Sequence, residues 1–139
     1  MRQVWQLRRG EQPQLNAPPG PPDRRRIGAR AEQVAADYYW ARGFQIEARN
    51  LRLGHLELDL LARKGPLLVV VEVRARGPGA LQGPFASVRG PKIRNLRTAI
   101  QLLWRRRCGD PTLERIRLDV AAVNLWKTPV EIEIAEAVT

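Results

Sequence analysis

A chain of 139 residues, 44% of them apolar, is long enough for one domain with its own core and too apolar to be disordered throughout. Its 24 Lys and Arg outnumber 14 Asp and Glu, a formal +10, and such a surface suits polyanionic partners. No apolar run approaches the ~20 residues of a membrane-spanning helix, the basic N-terminus lacks a signal-type apolar stretch, and Cys108 and His55, each the only one of its kind, exclude an internal disulfide and a cysteine-rich or histidine-rich zinc site. The expectation is a cytoplasmic protein with no membrane contact.

Residues 1–26 read as a disordered, basic, Pro-rich arm. Five of the 11 prolines fall between Pro13 and Pro22, and the Arg24-Arg25-Arg26 run closes the segment. The arm is either a flexible nucleic-acid contact or a plain leader. Residues 27–139 read as a single α/β domain. Ala31, Val34, Ala35 and Tyr38 recur at helical spacing and predict a helix over 28–42, stopped by Gly43. Phe44 to Leu53 reads as a strand. Residues 55–63 and 67–76 alternate with period two about Lys64-Gly65-Pro66, which predicts a hairpin. A Gly/Pro-rich loop fills 77–84. A second helix starts near Pro91, a residue suited to a first turn, with Ile93, Leu96, Ile100 and Leu103 as its apolar stripe. Ile116 to Leu125 reads as a strand, followed by a further one at Val130 to Ile134. The order α-β-β-β-α-β defines a mixed β-sheet flanked by helices. Trp40, Trp104 and Trp126 read as core or partner-facing aromatics.

The hairpin carries the chemistry. Alternation places Leu56, Leu58, Leu60 and Ala62 on one face of its first strand. On the second strand, Leu67, Val69, Val71, Val73 and Ala75 share a face. The tightest register that matches these faces opposes Leu60 to Val71, Leu58 to Val73, Asp59 to Glu72 and Glu57 to Arg74. Two carboxylates opposed across strands repel each other. A bridging divalent cation would compensate, since Mg²⁺ accepts one or two carboxylates with waters and phosphate oxygens; pairing with Arg74 and other basic residues would do so as well. Glu32 borders the buried stripe of the first helix, either turned towards the sheet or solvated.

The segments RIGARAEQVAADYYWARGF, RNLRLGHLELDLLAR, LVVVEVRAR, SVRGPK and RLDVAAV follow one another in this order. From about Ile27 to Asn124 the chain thereby resembles the YraN-type family of small bacterial proteins, placed with the Holliday junction resolvases in the PD-(D/E)xK nuclease superfamily. The resemblance implies a restriction-endonuclease-like core. It implies catalytic roles for Asp59, Glu72, Arg74 and Glu32, and Mg²⁺ or Mn²⁺ held by Asp59 and Glu72 with Glu57. Lys92 and Asp119 fall at motif positions. Lys92, Arg94, Arg97, Arg76 and Arg89 would contact nucleic acid. The activity implied is metal-dependent phosphodiester hydrolysis on branched or otherwise structured DNA, with branched or single-stranded DNA as the partner, by a chain that resembles dimeric resolvases and so is expected as a homodimer.

Two positions depart from the family pattern. Leu56 stands where a glycine is usual, and Arg74 stands where the motif has lysine. Arginine keeps the charge but is a poor base. The alternative readings are therefore a DNA-binding module without hydrolysis, or a protein-interaction module.

Overall fold

The computed structural model of the chain describes residues 2–6, 24–76, 88 and 90–138. Its elements are β1 (Arg2–Gln6), α1 (Arg24–Ala41), β2 (Gln45–Leu53), β3 (Leu56–Lys64), β4 (Leu67–Arg76), α2 (Gly90–Arg106), β5 (Arg115–Asn124) and β6 (Glu131–Ala135). The strands form one sheet in the order β1-β6-β5-β4-β3-β2. Only β4 and β5 are parallel; that pairing needs a crossover, which α2 supplies. From residue 24 onward the succession is the expected one.

The beginning of the chain differs from the expectation. Arg2–Gln6, read above as part of a disordered arm, form β1, which pairs antiparallel with β6 from Arg2↔Ala135 to Gln6↔Glu131. Backbone pairing is the reason: without this strand β6 would present an open row of N–H and C=O groups. Arg24, Arg25 and Arg26 belong to α1. The proline-rich remainder of the arm, the loop 77–84 and Arg89 lie outside the described residues.

α1 buries the predicted stripe, with Ala31, Val34, Ala35 and Tyr38 in the core. The helix stops in a Schellman turn: Gly43, at φ 86°, donates to the Trp40 carbonyl and Phe44 to the Tyr39 carbonyl, both at 3.0 Å. The accompanying apolar contact is the Phe44 ring edge-on to Tyr39 at 5.3 Å. Gly65 takes the positive φ of the two-residue turn between β3 and β4.

The sheet is covered on both faces. Against α1 lie Leu60, Ala62, Val69, Val71, Ala121, Val123, Ile132 and Ile134. Against Leu96, Ala99 and Leu103 of α2 lie Leu58, Leu61, Leu68, Val70 and Leu118. β4 thus alternates as predicted. β3 does not: Leu60 and Ala62 face α1, whereas Leu56 and Leu58, expected beside them, pack with the α2 cluster. The strand changes face at Asp59. Of the two readings given for Trp40, Trp104 and Trp126, the core one does not hold: all three are exposed.

Candidate active site

The change of face opens the site. The β3–β4 ladder runs from Lys64↔Leu67 to Leu60↔Val71 in the predicted register and ends there. The pairs expected next, Asp59 with Glu72, Leu58 with Val73 and Glu57 with Arg74, are not formed, because the strands diverge. Asp59 spans the divergence: its Oδ2 accepts a hydrogen bond from the Val73 N–H at 2.9 Å, so a side chain replaces the lost ladder bond. On the other edge of β3, the pairing is interrupted at the same level, between Arg49↔Leu60 and Leu51↔Leu58. Asn50, opposite Asp59, lies at φ 49°, a left-handed conformation that asparagine tolerates better than most residues. Its Nδ2 donates to Glu32 Oε2 of α1 at 3.2 Å. Asn50 therefore joins helix to hairpin. An asparagine inside an otherwise strand-like run was the available signal for it.

Glu72 sits on the α2 side of the divergence with 3% of its surface exposed. Its Oε1 is 3.2 Å from a terminal guanidinium nitrogen of Arg74 and 3.4 Å from Lys92 Nζ. Oε2 is buried and accepts no hydrogen bond, and the buried Nε atoms of Arg74 and Arg76 donate none. Burial, and secondarily the charge of Asp59, push the Glu72 carboxyl up to about 7, with Lys92 and Arg74 opposing the shift. Desolvation wins over pairing here because both cations keep about a third of their own surface in water, where their charges are screened. Lys92 reaches the site from the first turn of α2, which the crossover brings over β4.

The other predicted residues divide between the two sides. Glu32 is half-buried, and desolvation, with Asp59 and Glu57 adding to it, raises its carboxyl above the ordinary range. Glu57 is exposed, and its charge adds to the upward shift of Glu32. Among the described residues no three His, Cys, Asp or Glu side chains converge closely enough to hold a metal ion, so a shell of Asp59, Glu72 and Glu57 together is not formed. Asp59 and Glu72 with water still match what Mg²⁺ accepts, and the unpartnered Glu72 Oε2 fits a cation. Arg94 and Arg97 are exposed on α2, and Arg76 follows Arg74 along β4.

Asp119 belongs to none of this. It pairs in register with Val71, so its side chain points to the α1 face, opposite to Glu72. Fully buried, it accepts from Tyr39 Oη at 2.7 Å, from Arg117 Nε and Nη2 at 2.8 Å each and from the Ala137 N–H at 3.1 Å. It ties α1, β5 and the C-terminal segment together.

Fold and site define a class: an open mixed α/β sheet with one helix on each face and a buried carboxylate, flanked by cations, where a hairpin splays. Within that class the chain belongs to the uncharacterised protein family UPF0102, whose model matches residues 31–123. It is 40% identical over 116 residues to a UPF0102 protein of Sorangium cellulosum, covering 82% of this chain and 81% of that one. A UPF0102 protein of Anaeromyxobacter dehalogenans is 42% identical over 111 residues, 79% and 81% of the two chains. One from Mesorhizobium japonicum is 36% identical over 110 residues, 79% and 86%. None of the described helices is long and apolar enough to cross a membrane.

Proposed function

We propose that the chain is a metal-dependent nuclease of the PD-(D/E)xK type that acts on branched or otherwise structured DNA. The observation that carries the reading is Glu72: a buried carboxylate with one oxygen unpartnered and the other between two cations, beside Asp59 at the mouth of a splayed hairpin. Burying a carboxylate is costly unless something compensates it, and an arrangement with carboxylate, lysine and arginine at one point suits a metal-bound phosphodiester.

Asp59 and Glu72 would hold Mg²⁺ or Mn²⁺. When bound, such an ion polarises the phosphate and lowers the pKa of its water. The remaining work falls to side chains. Lys92 and Arg74 neutralise phosphate oxygens and hold the scissile group against Glu72. Lys92 is also the one primary amine at this carboxylate, so it stands in for the lysine that Arg74 replaces. Glu32, whose proton affinity is raised by burial, would receive a proton. Arg76, Arg94 and Arg97 extend the positive surface for the backbone.

The test is cleavage of labelled branched and single-stranded DNA with Mg²⁺ or Mn²⁺, wild type against Asp59→Ala. Cleavage that depends on the metal and disappears in the variant supports the reading; binding without cleavage overturns it. That second outcome would favour a DNA-binding module, the reading motivated by Arg74, whose guanidinium already pairs with Glu72 and does not release a proton.

A further inference from the structure

A cleft of about 260 Å³ opens between the start of β3 and α2, next to Lys92. Its walls are apolar in part, with Leu56 and Leu58 on the strand side and Leu96 on the helix side. Polar groups stand among them, His55 from the turn before β3, Glu57 from β3 itself, and Asn95 and Lys92 from α2; the Glu57 carboxylate can accept from the amino edge of a base, and the phosphate belongs at the Lys92 end. His55 and Asn95 are exposed, so their edges are available to a ligand. The change of face at Asp59 creates this cleft. It turns Leu56 and Leu58 towards α2.

We propose that this cleft is a subsite for one unpaired nucleotide, its base between the leucine walls and its phosphate on Lys92. This rests on the nuclease reading and extends it to the kind of substrate the site accepts. Size comes first. Pockets for drug-sized ligands run to roughly 300–1,000 Å³; this one is smaller and suits a single ring system with part of its sugar. Chemistry comes second. Two apolar surfaces take the faces of a planar ring, and histidine and asparagine can stack on or hydrogen-bond to base edges, the means by which unpaired bases are recognised. Position comes third. Lys92 both lines the cleft and stands 3.4 Å from Glu72 Oε1, so a nucleotide whose phosphate meets Lys92 is delivered to the candidate metal ligand. A base stacked within a duplex cannot enter without leaving the stack. The subsite therefore selects single-stranded or branch-point nucleotides.

The test titrates dAMP and dCMP into the ¹⁵N-labelled full chain and follows amide shifts, with inorganic phosphate as the comparison. The expected result is a saturable response at His55, Asn95 and Leu96 to the nucleotides, and a response confined to the surroundings of Lys92 with phosphate alone. Asn95→Trp, a change at an exposed position, fills the cleft. It is expected to weaken both nucleotides about tenfold or more, the worth of one stacked base, and to leave phosphate binding unchanged. Equal responses to nucleotides and phosphate, or nucleotide binding indifferent to Asn95→Trp, would overturn the proposal. The outcome is separable from that of the nuclease reading. Nucleotides seated in the cleft of a protein that cleaves nothing keep the subsite and remove the enzyme. Single-strand cleavage unaffected by Asn95→Trp keeps the enzyme and removes the subsite.

Discussion

The carboxylate of Asp59 accepts a hydrogen bond from the backbone N–H of Val73 at 2.9 Å, at the point where β3 and β4 part. A motif acid here also maintains the fold, so structural and catalytic losses need to be separated. Asp59→Ala leaves a part-buried N–H without its acceptor and is expected to cost about 1–3 kcal/mol as well as cleavage. Asp59→Asn keeps an oxygen for Val73 and is expected to retain most of the stability while losing cleavage. Thermal unfolding beside a cleavage assay distinguishes them. An Asn variant as unstable as the Ala variant would mean that the charge of Asp59 stabilises the divergent strands.

Glu72 predicts a pH dependence of the metal-free protein. Its carboxyl is raised from 4.5 to about 7, so the folded chain holds a proton there that the unfolded chain has released. That contribution is fully present below about 4.5 and is lost as the pH rises through about 7. Glu72→Gln carries no charge at any pH. The variant is expected to match wild type near pH 4 and to exceed it at pH 8 by roughly 3 kcal/mol at most. Denaturant unfolding at the two pH values checks this. A variant less stable at pH 8 would mean that the pairs with Lys92 and Arg74 outweigh burial.

Lys92 and Arg74 flank one oxygen of Glu72, one as a compact amine and the other as a planar guanidinium. Lys92→Ala is expected to lower cleavage about 100-fold or more, in the range of lost proton-transfer or charge-stabilising groups. Arg74→Lys is expected to leave activity intact or raise it, and to restore part of it in the Lys92→Ala background. Single-turnover rates measure all three variants. No rescue in the double variant would mean that the two positions are not interchangeable.

The bonds that converge on Asp119 are structural, and its loss should be expressed in stability. Asp119→Ala takes from Arg117 a partner that it bonds twice at 2.8 Å, leaving the longer 3.8 Å pair with Glu136, and is expected to cost about 3 kcal/mol. Tyr39→Phe removes one bond to a charged group, about 1–3 kcal/mol. Calorimetry checks the ranking. A Tyr39→Phe protein that is stable yet inactive would move this network into the function.

If Arg94 and Arg97 grip phosphates, affinity for DNA falls linearly on a log–log plot against salt, and each Arg→Ala lowers the slope by about one. Electrophoretic mobility shifts at several salt concentrations measure it. An unchanged slope in both variants would remove the outer face of α2 from the interface.

Much of this was legible along the chain. The helical spacing of Ala31, Val34, Ala35 and Tyr38, the period-two alternation of β4 and the Gly65-Pro66 turn are local properties. They were sufficient for the order of elements, for the Leu60↔Val71 register and for bringing Asp59 and Glu72 to one end of the hairpin. Periodicity assumes that a strand continues as it began, and for this reason it misplaced Leu56 and Leu58. A left-handed Asn50 and a side-chain bond from Asp59 to Val73 interrupt the regular ladder, and neither changes the apolar pattern.

Long-range placement was decided by the tertiary structure alone. A crossover brings Lys92, twenty residues beyond Glu72, to the same carboxylate oxygen. Pairing with a distant edge makes Arg2–Gln6 a strand. Burial on the α1 face makes Asp119 an anchor rather than a neighbour of Glu72. Sequence by itself determined the periods, the turns and the inventory of charges, because these depend on neighbouring residues. Which charges meet, and which of them lose water, depends on how the helices pack across the two faces of the sheet; that packing gives Glu72 its raised proton affinity.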